Sequence, residues 1–345
     1  MQIAGTKIGI DHPPYVIAEV SANHGGSLEA AIEAINSAAQ LGASAVKIQS
    51  YTPDTMTIDS DEPDFMVKDG LWAGRSLYEL YREAHTPFEW HKQLFDFAKE
   101  VGVTLFSTPF DETAVDMLEE LGAPAFKVAS FEITDLPLLK YIASKNKPML
   151  ISTGMASEDE IAEAVSTIRS QSDNSILLFH CVSSYPTPVS SMQLYNLKYL
   201  SEKYGVLAGL SDHSMSNIAA ITAIGLGAVA IEKHFKGEQF DCGPDSSFSL
   251  NSNQFKQLVN DCSDAWKAKG DHNFSRSSVE ATNMIFRRSL YFVNDLPPGA
   301  IVTSCDVRRI RPGYGLAPKY LDQVIGRSLK CGVKRGTAVK WEQFT

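Results

Sequence analysis

Short apolar runs rich in β-branched and aromatic residues recur along the chain, roughly every 25 to 30 residues. Each run ends in a polar or glycine-containing stretch. Apolar residues at helical spacing follow, as in residues 28–41, 113–121 and 158–169. The pattern predicts eight β-strands alternating with α-helices. The eight runs are residues 15–20, 45–49, 103–108, 125–130, 148–153, 176–181, 206–211 and 229–234.

This alternation predicts an α/β fold with parallel strands, because a crossover helix returns the chain to the same edge of the sheet. Eight such units close naturally into a (β/α)8 TIM barrel, and an open doubly wound sheet is the alternative. Polar residues in or just after the strands favour the barrel, which brings all strand ends around one mouth. They are Glu19, Lys47, Thr108, Lys127, Ser130, Thr153, Ser211, His213, Glu232 and His234.

A long insertion, from Thr52 to about Trp90, separates the second and third runs. Its length and position favour a segment that covers a substrate at the barrel mouth, and a surface flap with its own small core is the alternative. The insertion is rich in aromatic residues, namely Phe65, Trp72, Tyr78, Tyr81, Phe88 and Trp90.

The periodicity changes after the eighth run. Residues 253–269 have helical spacing, and short β-like pieces broken by Pro and Gly follow from Arg288. We therefore predict a barrel domain over residues 1–283 and a small β-rich domain over residues 284–345. A domain of about 60 residues has a small core, so we expect it to be supported by the barrel or by a partner subunit.

The composition is ordinary for a globular protein, with 44% hydrophobic and 21% charged residues. The net charge of −10 argues against nonspecific binding to nucleic acid or to anionic membranes. No apolar run approaches the roughly 18 residues of a membrane span, and the first residues do not resemble a secretion signal, so we expect a cytoplasmic protein.

The five cysteines form no Cys-x-x-Cys pair and are interpreted as reduced thiols. They are Cys181, Cys242, Cys262, Cys305 and Cys331.

Two histidines at the ends of the last two strands are candidate metal ligands. Side chains two apart on a strand share a face, so His213 with Ser211, and His234 with Glu232, can point into one cavity. Two imidazoles leave coordination positions open for water and a substrate oxygen, and nitrogen ligands mixed with oxygens suit Mn²⁺, Co²⁺ or Zn²⁺ better than Mg²⁺. His24 is either a third ligand or a residue of the first turn, and structural histidines remain the alternative for all three.

Two lysines lie inside predicted strands, where their alternation points them inward. Lys47 and Lys127 favour a bound anion, because a buried lysine is costly without a partner; a Schiff-base lysine and structural ion pairs are the alternatives. Hydroxyl groups around them suit a phosphate. Nearby carboxylates can transfer protons, bind sugar hydroxyls or simply neutralise the lysines. The hydroxyls are Thr108, Ser130, Ser152, Thr153 and Ser211, and the carboxylates are Glu19, Glu132 and Glu232.

Taken in order, the motifs of the chain resemble those of the sialic acid synthase family, and the tail resembles that family's C-terminal antifreeze-like (SAF) domain. The resemblance covers nearly the whole chain. In the barrel, the motifs that carry the resemblance are residues 17–19 with 23–24, 46–49, 107–110, 126–132, 152–155, 209–213, 231–235 and 243–246. In the tail they are residues 310–315 and 333–336.

The resemblance implies a transferase that condenses phosphoenolpyruvate with an N-acetylated amino sugar to give a nine-carbon α-keto acid and phosphate. Residues 70–81, 86–91 and 183–186 look most like the pseudaminic acid branch, whose acceptor is a 6-deoxy sugar, 2,4-diacetamido-2,4,6-trideoxy-L-altropyranose. A synthase of N-acetylneuraminate or legionaminate is the alternative, using N-acetylmannosamine or a diacetamido-trideoxymannose. A metal-dependent hydrolase with the same barrel fold is a more distant alternative. It is disfavoured because the first strand lacks a His-x-His motif.

Site roles carry over from the family by motif. A divalent metal ion is expected at His213 and His234, with Mn²⁺ favoured and Mg²⁺ or Co²⁺ possible. Ser183 stands where the family usually has asparagine. Residues expected to hold phosphoenolpyruvate are Lys47, Thr108, Lys127, Ser130, Ser183 and Ser211; those expected to contact the acceptor or move protons are Glu19, Glu132, Tyr185, Glu232 and Asp245.

The family also implies a domain-swapped homodimer, in which the SAF domain of one subunit closes the barrel of the other. Its Arg-Pro-Gly turn, here Arg311 to Gly313, would bring Arg311 to the acetamido group of the acceptor. A solvated charge beside Arg308 and Arg309 is the alternative. A separate ice- or sugar-binding role for the tail is disfavoured, because it would not require the converging lysines of the barrel.

Overall fold

Eight parallel strands form a closed barrel in the first part of the chain, with the last strand paired to the first. The barrel prediction is therefore confirmed and the open sheet is excluded. In chain order, β1 to β8 are Tyr15–Glu19, Ala45–Ser50, Thr104–Pro109, Phe126–Val128, Met149–Ser152, Ile176–Cys181, Leu207–Asp212 and Ala230–His234.

The computed structural model describes residues 1–237, 243–270 and 274–345. It divides into two units, residues 1–270 and 271–345, and the predicted boundary after residue 283 falls inside the second. Among the described residues, Cys181, Cys262, Cys305 and Cys331 are free thiols, as predicted, and Cys242 lies outside them. Within the same residues, no helix combines the length and the apolarity that crossing a membrane requires.

A helix follows each barrel strand, and polar caps define several helix starts. The Ser157 and Asn251 side chains accept hydrogen bonds from the third residue of the helices that they precede, in capping boxes. Gly42 ends the first helix with a φ of 94°, a conformation that favours glycine. Helices α1 to α8 are Leu28–Leu41, Phe88–Glu100, Glu112–Glu120, Leu136–Ser144, Glu158–Gln171, Asn196–Tyr204, Ile218–Gly225 and Ser252–Lys269.

Strand alternation separates the inside of the barrel from its outside. Val46 and Ile48 pack in a buried cluster with helix residues such as Leu94, so they face the helices and Lys47 between them points inward, as predicted. The alternate positions form an inner apolar cluster that includes Ile17 and Phe179. Toward the carboxyl ends of the strands, the residues at these inward-facing positions are polar. The apolar filling therefore occupies one end of the barrel, and the carboxyl ends of the strands are left for a site.

The insertion between β2 and α2 forms two short helices, Pro53–Met56 and Leu77–Ala84, and a 3-10 turn at Pro63–Phe65. Thr52 and Ser76 cap the two helices with their hydroxyl groups. Before the barrel, residues 2–3 pair with residues 6–7 in a small antiparallel ribbon that the sequence pattern did not predict.

The second unit has its own apolar core. A 3-10 helix, Ser278–Phe286, precedes two antiparallel strands, β9 (Ser289–Phe292) and β10 (Val307–Ile310). Short helical turns complete the unit at Pro318–Tyr320, Leu321–Val324 and Trp341–Gln343. The prediction of a β-rich tail is confirmed. Buried core residues include Leu290, Phe292, Val302, Val324, Leu329 and Val339.

Candidate active site

A cavity of about 470 Å³ opens at the carboxyl ends of the barrel strands. Most of the candidate site residues line it, which confirms that the strand ends meet at one mouth. Thr108, Thr153 and Ser183 are not among the lining residues, and Arg311 belongs to the second unit. The predicted residues that line the cavity are Glu19, Lys47, Lys127, Ser130, Glu132, Ser152, Tyr185, Ser211, His213, Glu232, His234 and Asp245.

The two candidate metal ligands are neighbours, with ring centroids 5.5 Å apart. His213 Nδ1 lies 3.0 Å from the Val182 carbonyl oxygen, so in the neutral ring this nitrogen carries the proton and Nε2 has the lone pair. Burial opposes the shift, but contacts with Cys181, Val182 and Glu232 raise the pKa of His213. His234 Nδ1 is buried and has no hydrogen-bond partner in the part of the chain that the structure describes. Burial lowers the pKa of His234 well below its ordinary value, and the His213 and Lys47 charges lower it further.

These features fit a divalent metal ion, which binds neutral imidazole through a lone pair. Among the described residues, including those around this pair, no three histidines, cysteines or acidic residues are grouped to hold a metal. A metal ion at this pair would therefore have two nitrogen ligands from the protein.

Two lysines and two carboxylates form a buried ion-pair network beside the histidines. Lys47 Nζ lies 2.8 Å from Glu19 Oε2 and 3.1 Å from Glu232 Oε1. Lys127 Nζ lies 3.9 Å from Glu232 Oε1 and donates to Ser152 Oγ at 2.6 Å. The ion pairs considered as an alternative thus exist, and they line the cavity rather than the core.

The electrostatics of this network depend on burial and on the paired charges. Burial lowers the pKa of Lys47 to about 8, although Glu232 opposes the shift. Burial alone would raise the pKa of Glu232, but the Lys127 and Lys47 charges outweigh it and hold this pKa well below its ordinary value. Glu232 is therefore ionised at neutral pH, and its Oε1 also accepts a hydrogen bond from Ser211 Oγ at 3.1 Å.

Small hydroxyl groups cluster around Gly154. Its backbone N–H donates to Ser130 Oγ at 3.1 Å, and a Cβ at Gly154 would lie 2.7 Å from that oxygen and still closer to Ser183 Oγ. Only glycine fits there without displacing the hydroxyls. Within the described part of the chain, the buried oxygens Ser183 Oγ and Thr108 Oγ1 lack hydrogen-bond partners. Each of these two hydroxyls therefore has unused hydrogen-bonding capacity.

Three further candidates complete the polar lining. Burial raises the pKa of Glu132 to about 7, against the opposing charge of Lys127. Burial also raises the pKa values of Asp245 and Tyr185. The Tyr185 ring lies 4.3 Å from the His213 ring, centroid to centroid.

The insertion lies at the barrel mouth, as predicted for a covering segment. The Trp72 indole N–H donates to the Pro244 carbonyl oxygen at 3.3 Å, which ties the insertion to the loop after β8. Apolar residues of the insertion line the cavity, namely Met56, Val67, Trp72, Leu77, Leu80 and Ala84, with Tyr81 beside them.

His24 does not line the cavity. Its Nδ1 accepts a hydrogen bond from the Gly26 N–H at 3.1 Å, and its ring packs edge-on against Trp90 with centroids 5.5 Å apart. The interpretation as a third metal ligand is therefore wrong, and the role in the first turn is the correct one.

The sequence interpretation missed several residues that line the cavity, including Gln49, Tyr51, Cys181 and Phe248. Gln49 lies two positions after Lys47 on β2, and Cys181 ends β6, so strand alternation could have identified both. Cys181 Sγ lies 3.6 Å from Ser130 Oγ. Nothing in the local pattern identified Phe248, which lies in the loop after β8 and whose ring approaches that of His234 with centroids 5.0 Å apart.

Comparison with known proteins agrees with this architecture. The chain is 40% identical over 344 residues to the pseudaminic acid synthase of Campylobacter jejuni strain 81-176, covering 100% of both chains. It is 33% identical over 335 residues to the N,N'-diacetyllegionaminic acid synthase of Legionella pneumophila, covering 96% of this chain and 94% of that one. The crystal structure of a sialic acid synthetase from Leptospira borgpetersenii superposes with a TM-score of 0.73, at 28% identity and covering 82% and 94% of the two chains.

Models of protein families match both units. The NeuB family model matches residues 34–274, and the SAF domain model matches residues 287–345. The predicted boundary after residue 283 lies between the structural division at 270 and the start of the SAF match. The chain therefore belongs to the NeuB family, the sialic acid synthase family, with a catalytic (β/α)8 barrel followed by a SAF domain.

Proposed function

We propose that this chain condenses phosphoenolpyruvate with 2,4-diacetamido-2,4,6-trideoxy-L-altropyranose to give pseudaminic acid and inorganic phosphate. The observation that carries the proposal is the full-length similarity to a pseudaminic acid synthase, at 40% identity. The cavity supports it, because two imidazoles, two lysines and several carboxylates share one space with an apolar wall. A legionaminic acid synthase is the second candidate, on 33% identity to such an enzyme.

His213 and His234 are the proposed ligands of a divalent metal ion, with Mn²⁺ favoured and Mg²⁺ or Co²⁺ as alternatives. The Nε2 lone pair of His213 and the unpartnered Nδ1 of His234 support this assignment. When bound, such an ion supplies Lewis-acid activation of the sugar aldehyde.

The ligand assignment can be tested by calorimetric titration of the apoprotein with Mn²⁺. His213→Ala and His234→Ala should each weaken Mn²⁺ binding by more than the roughly 10–100-fold that loss of a supporting residue costs. His24→Gln is the matched control and should bind Mn²⁺ as the wild type does, because His24 lies outside the cavity. Unchanged binding by either alanine variant would refute the assignment.

Lys47 and Lys127 are the proposed cations for the carboxylate and phosphate of phosphoenolpyruvate. Glu19 and Glu232 hold both ammonium groups inside the cavity. The hydroxyls proposed to complete the site are Thr108, Ser130, Ser183 and Ser211. Ser130 and Ser211 line the cavity and support the proposal, whereas Thr108 and Ser183 do not line it. Ser183 stands in the place of the family's asparagine with a shorter side chain.

Glu19, Tyr185, Glu232 and Asp245 are the proposed acceptor contacts. In the reaction, the sugar reacts in its open-chain form. C3 of phosphoenolpyruvate bonds to the aldehyde carbon, the aldehyde oxygen takes a proton from one of these acceptor contacts, and positive charge develops at C2. Water then adds to C2, and phosphate leaves with cleavage of the C–O bond. We assign the water proton to Glu132, whose raised pKa of about 7 suits a general base near neutral pH.

We further propose a domain-swapped homodimer, in which Arg311 of one subunit reaches the acceptor bound to the other barrel. Arg311 is exposed, and it forms no ion pair among the residues that the structure describes. Charge supports the association. Residues 287–345 contain eleven Lys and Arg against four Asp and Glu, whereas the chain as a whole has 31 against 41. A cationic tail and an acidic barrel attract each other.

An assay of phosphate release tests the function. Protein, Mn²⁺ and phosphoenolpyruvate are mixed with one of three acceptors: the diacetamido-trideoxy-L-altrose, the corresponding diacetamido-trideoxymannose, or N-acetylmannosamine. We expect release with the first sugar at a kcat/KM at least roughly tenfold above the others, since stereochemical misfits of this size cost about 1–3 kcal/mol. Release with N-acetylmannosamine alone would refute the proposal, and preference for the mannose isomer would identify a legionaminic acid synthase.

A further inference from the structure

One part of the cavity wall is almost entirely apolar. The insertion supplies it through Met56, Val67, Trp72, Leu77 and Leu80, all of which line the same cavity as the ion-pair network. A site for a highly hydroxylated sugar would be expected to place amides and carboxylates there, because each buried hydroxyl requires a partner. The composition of this wall therefore indicates substrate groups that do not form hydrogen bonds.

The polar atom of the largest wall residue is already engaged. The Trp72 indole N–H donates to the Pro244 carbonyl oxygen, so the ring presents no free donor. Next to these residues, and also lining the cavity, Tyr51 packs edge-on against Tyr81 and Phe110, with ring centroids 5.8 and 5.2 Å apart. These contacts hold the aromatic surface in place, and its shape is set before substrate binds.

We propose that this apolar wall binds the C6 methyl group of the acceptor and so selects 6-deoxy sugars over their 6-hydroxy counterparts. The inference rests on the proposed function, which places the aldehyde carbon at the polar end of the cavity beside the lysines and histidines. C6 is the opposite end of the six-carbon chain, so it is the group that remains for the wall. A methyl group gains from burial there, whereas a hydroxymethyl group loses its water partners without replacement.

The expected selectivity is moderate. An apolar pocket discriminates against an added hydroxyl by about 100-fold at most, because it penalises desolvation without a direct clash. We therefore expect wild-type kcat/KM to favour the 6-deoxy sugar by roughly 10- to 100-fold over 2,4-diacetamido-2,4-dideoxy-L-altrose, which differs only by the C6 hydroxyl.

The test compares this ratio between variants, with phosphate release as the readout. Leu77→Asn and Met56→Gln place an amide in the wall with little change of volume, and both side chains are partly exposed in the empty cavity. Each should lower the ratio about tenfold, mainly through a higher KM for the 6-deoxy sugar, since one lost apolar contact is worth this much. Leu71→Asn is the matched control, because Leu71 is in the same segment but is 55% exposed and does not line the cavity.

The outcomes separate this inference from the function on which it rests. A ratio lowered in the two wall variants and unchanged in Leu71→Asn supports the inference. Equal wild-type efficiency with both sugars, or a ratio that neither wall variant changes, overturns the inference and leaves the proposed function intact. No release with either sugar overturns the proposed function itself. If Leu77→Asn fails to fold, Met56→Gln still decides the comparison, because the side chains of methionine and glutamine are nearly isosteric.

Discussion

Glu132 is a carboxylate of the cavity whose protonation changes near neutral pH. Burial raises its pKa to about 7, and Lys127 and Asp135 are the charged groups that modify it. A general base works only when deprotonated, so kcat/KM at saturating Mn²⁺ should fall about tenfold per pH unit below 7. It should fall again above about 8, where burial causes Lys47 to lose the charge that binds phosphoenolpyruvate. Glu132→Gln should reduce activity roughly 10²- to 10⁴-fold and remove the slope on the acidic side.

The control for that pH profile is Glu29→Gln, on an exposed carboxylate at the start of α1 whose pKa is lowered by hydrogen bonds to the Glu29 N–H and to Ser27. This variant should keep the wild-type slope. A Glu132→Gln variant that also retained the slope would show that another group titrates.

At the residue scale, the sequence predicted which side chains would reach the cavity but not how they would pair. The period of two along a strand determines that Lys47 and Glu232 point inward. Their partnership joins positions 185 residues apart, and only the closure of the barrel brings them within 3.1 Å. His24 shows the converse, because a local turn rather than a strand end determines its position, and the sequence left that alternative open.

At the level of elements, a second buried ion pair joins the ends of β7 and β8. Lys233 Nζ lies 2.6 Å from Asp212 Oδ2, and the two side chains are 1% and 0% exposed. Lys233 also donates to the Ser216 carbonyl oxygen, and Asp212 accepts from the Ser214 N–H. Each member directly precedes a candidate metal ligand in the sequence.

Breaking this pair should strongly destabilise the barrel. Asp212→Asn leaves a buried lysine without its counterion, and we expect a loss of about 3–5 kcal/mol in the free energy of unfolding, measured by urea denaturation. The double variant Asp212→Asn with Lys233→Met should lose less than the two single variants together, because no unpaired charge remains.

Asp96→Asn is the control, since the Lys92–Asp96 pair is 76% and 67% exposed and should be worth less than about 1 kcal/mol. Equal stability changes in Asp96→Asn and Asp212→Asn would contradict the account of the buried pair.

The strands were the most predictable elements. Every predicted barrel strand overlaps the observed one, because a buried strand between helices must be a continuous apolar run bounded by polar or glycine residues. The ribbon at residues 2–7 was missed because strands of two residues carry no periodicity. The helices of the insertion were also missed, because they span only four and eight residues, which is too short for an apolar period to repeat.

For the whole molecule, eight repeated units were sufficient to predict a closed barrel. Polar strand ends that share one site must meet around the mouth of a barrel, whereas an open sheet would spread them along its edge.

The dimer remains a proposal, and subunit mixing tests it. Arg311→Ala and Lys127→Met should each be inactive alone. If sites combine a barrel from one subunit with Arg311 of the other, mixing equal amounts under exchange conditions should restore about a quarter of wild-type activity, because half of the dimers then contain one intact site.

The control for mixing is Lys127→Met with Glu132→Gln, two variants of the same barrel cavity, which should restore nothing. No recovery from the Arg311→Ala mixture, in exchanged dimers confirmed by mass, would contradict the swapped arrangement.

The central claim is that one cavity joins C3 of phosphoenolpyruvate to the sugar aldehyde and releases phosphate by C–O cleavage. The most direct measurement uses phosphoenolpyruvate labelled with ¹⁸O at the bridging oxygen, Mn²⁺ and the diacetamido-trideoxy-L-altrose, with mass spectrometry of both products. The account predicts one nine-carbon keto acid per phosphate, with the label in the phosphate. Unlabelled phosphate, or phosphate released without the sugar, would contradict it.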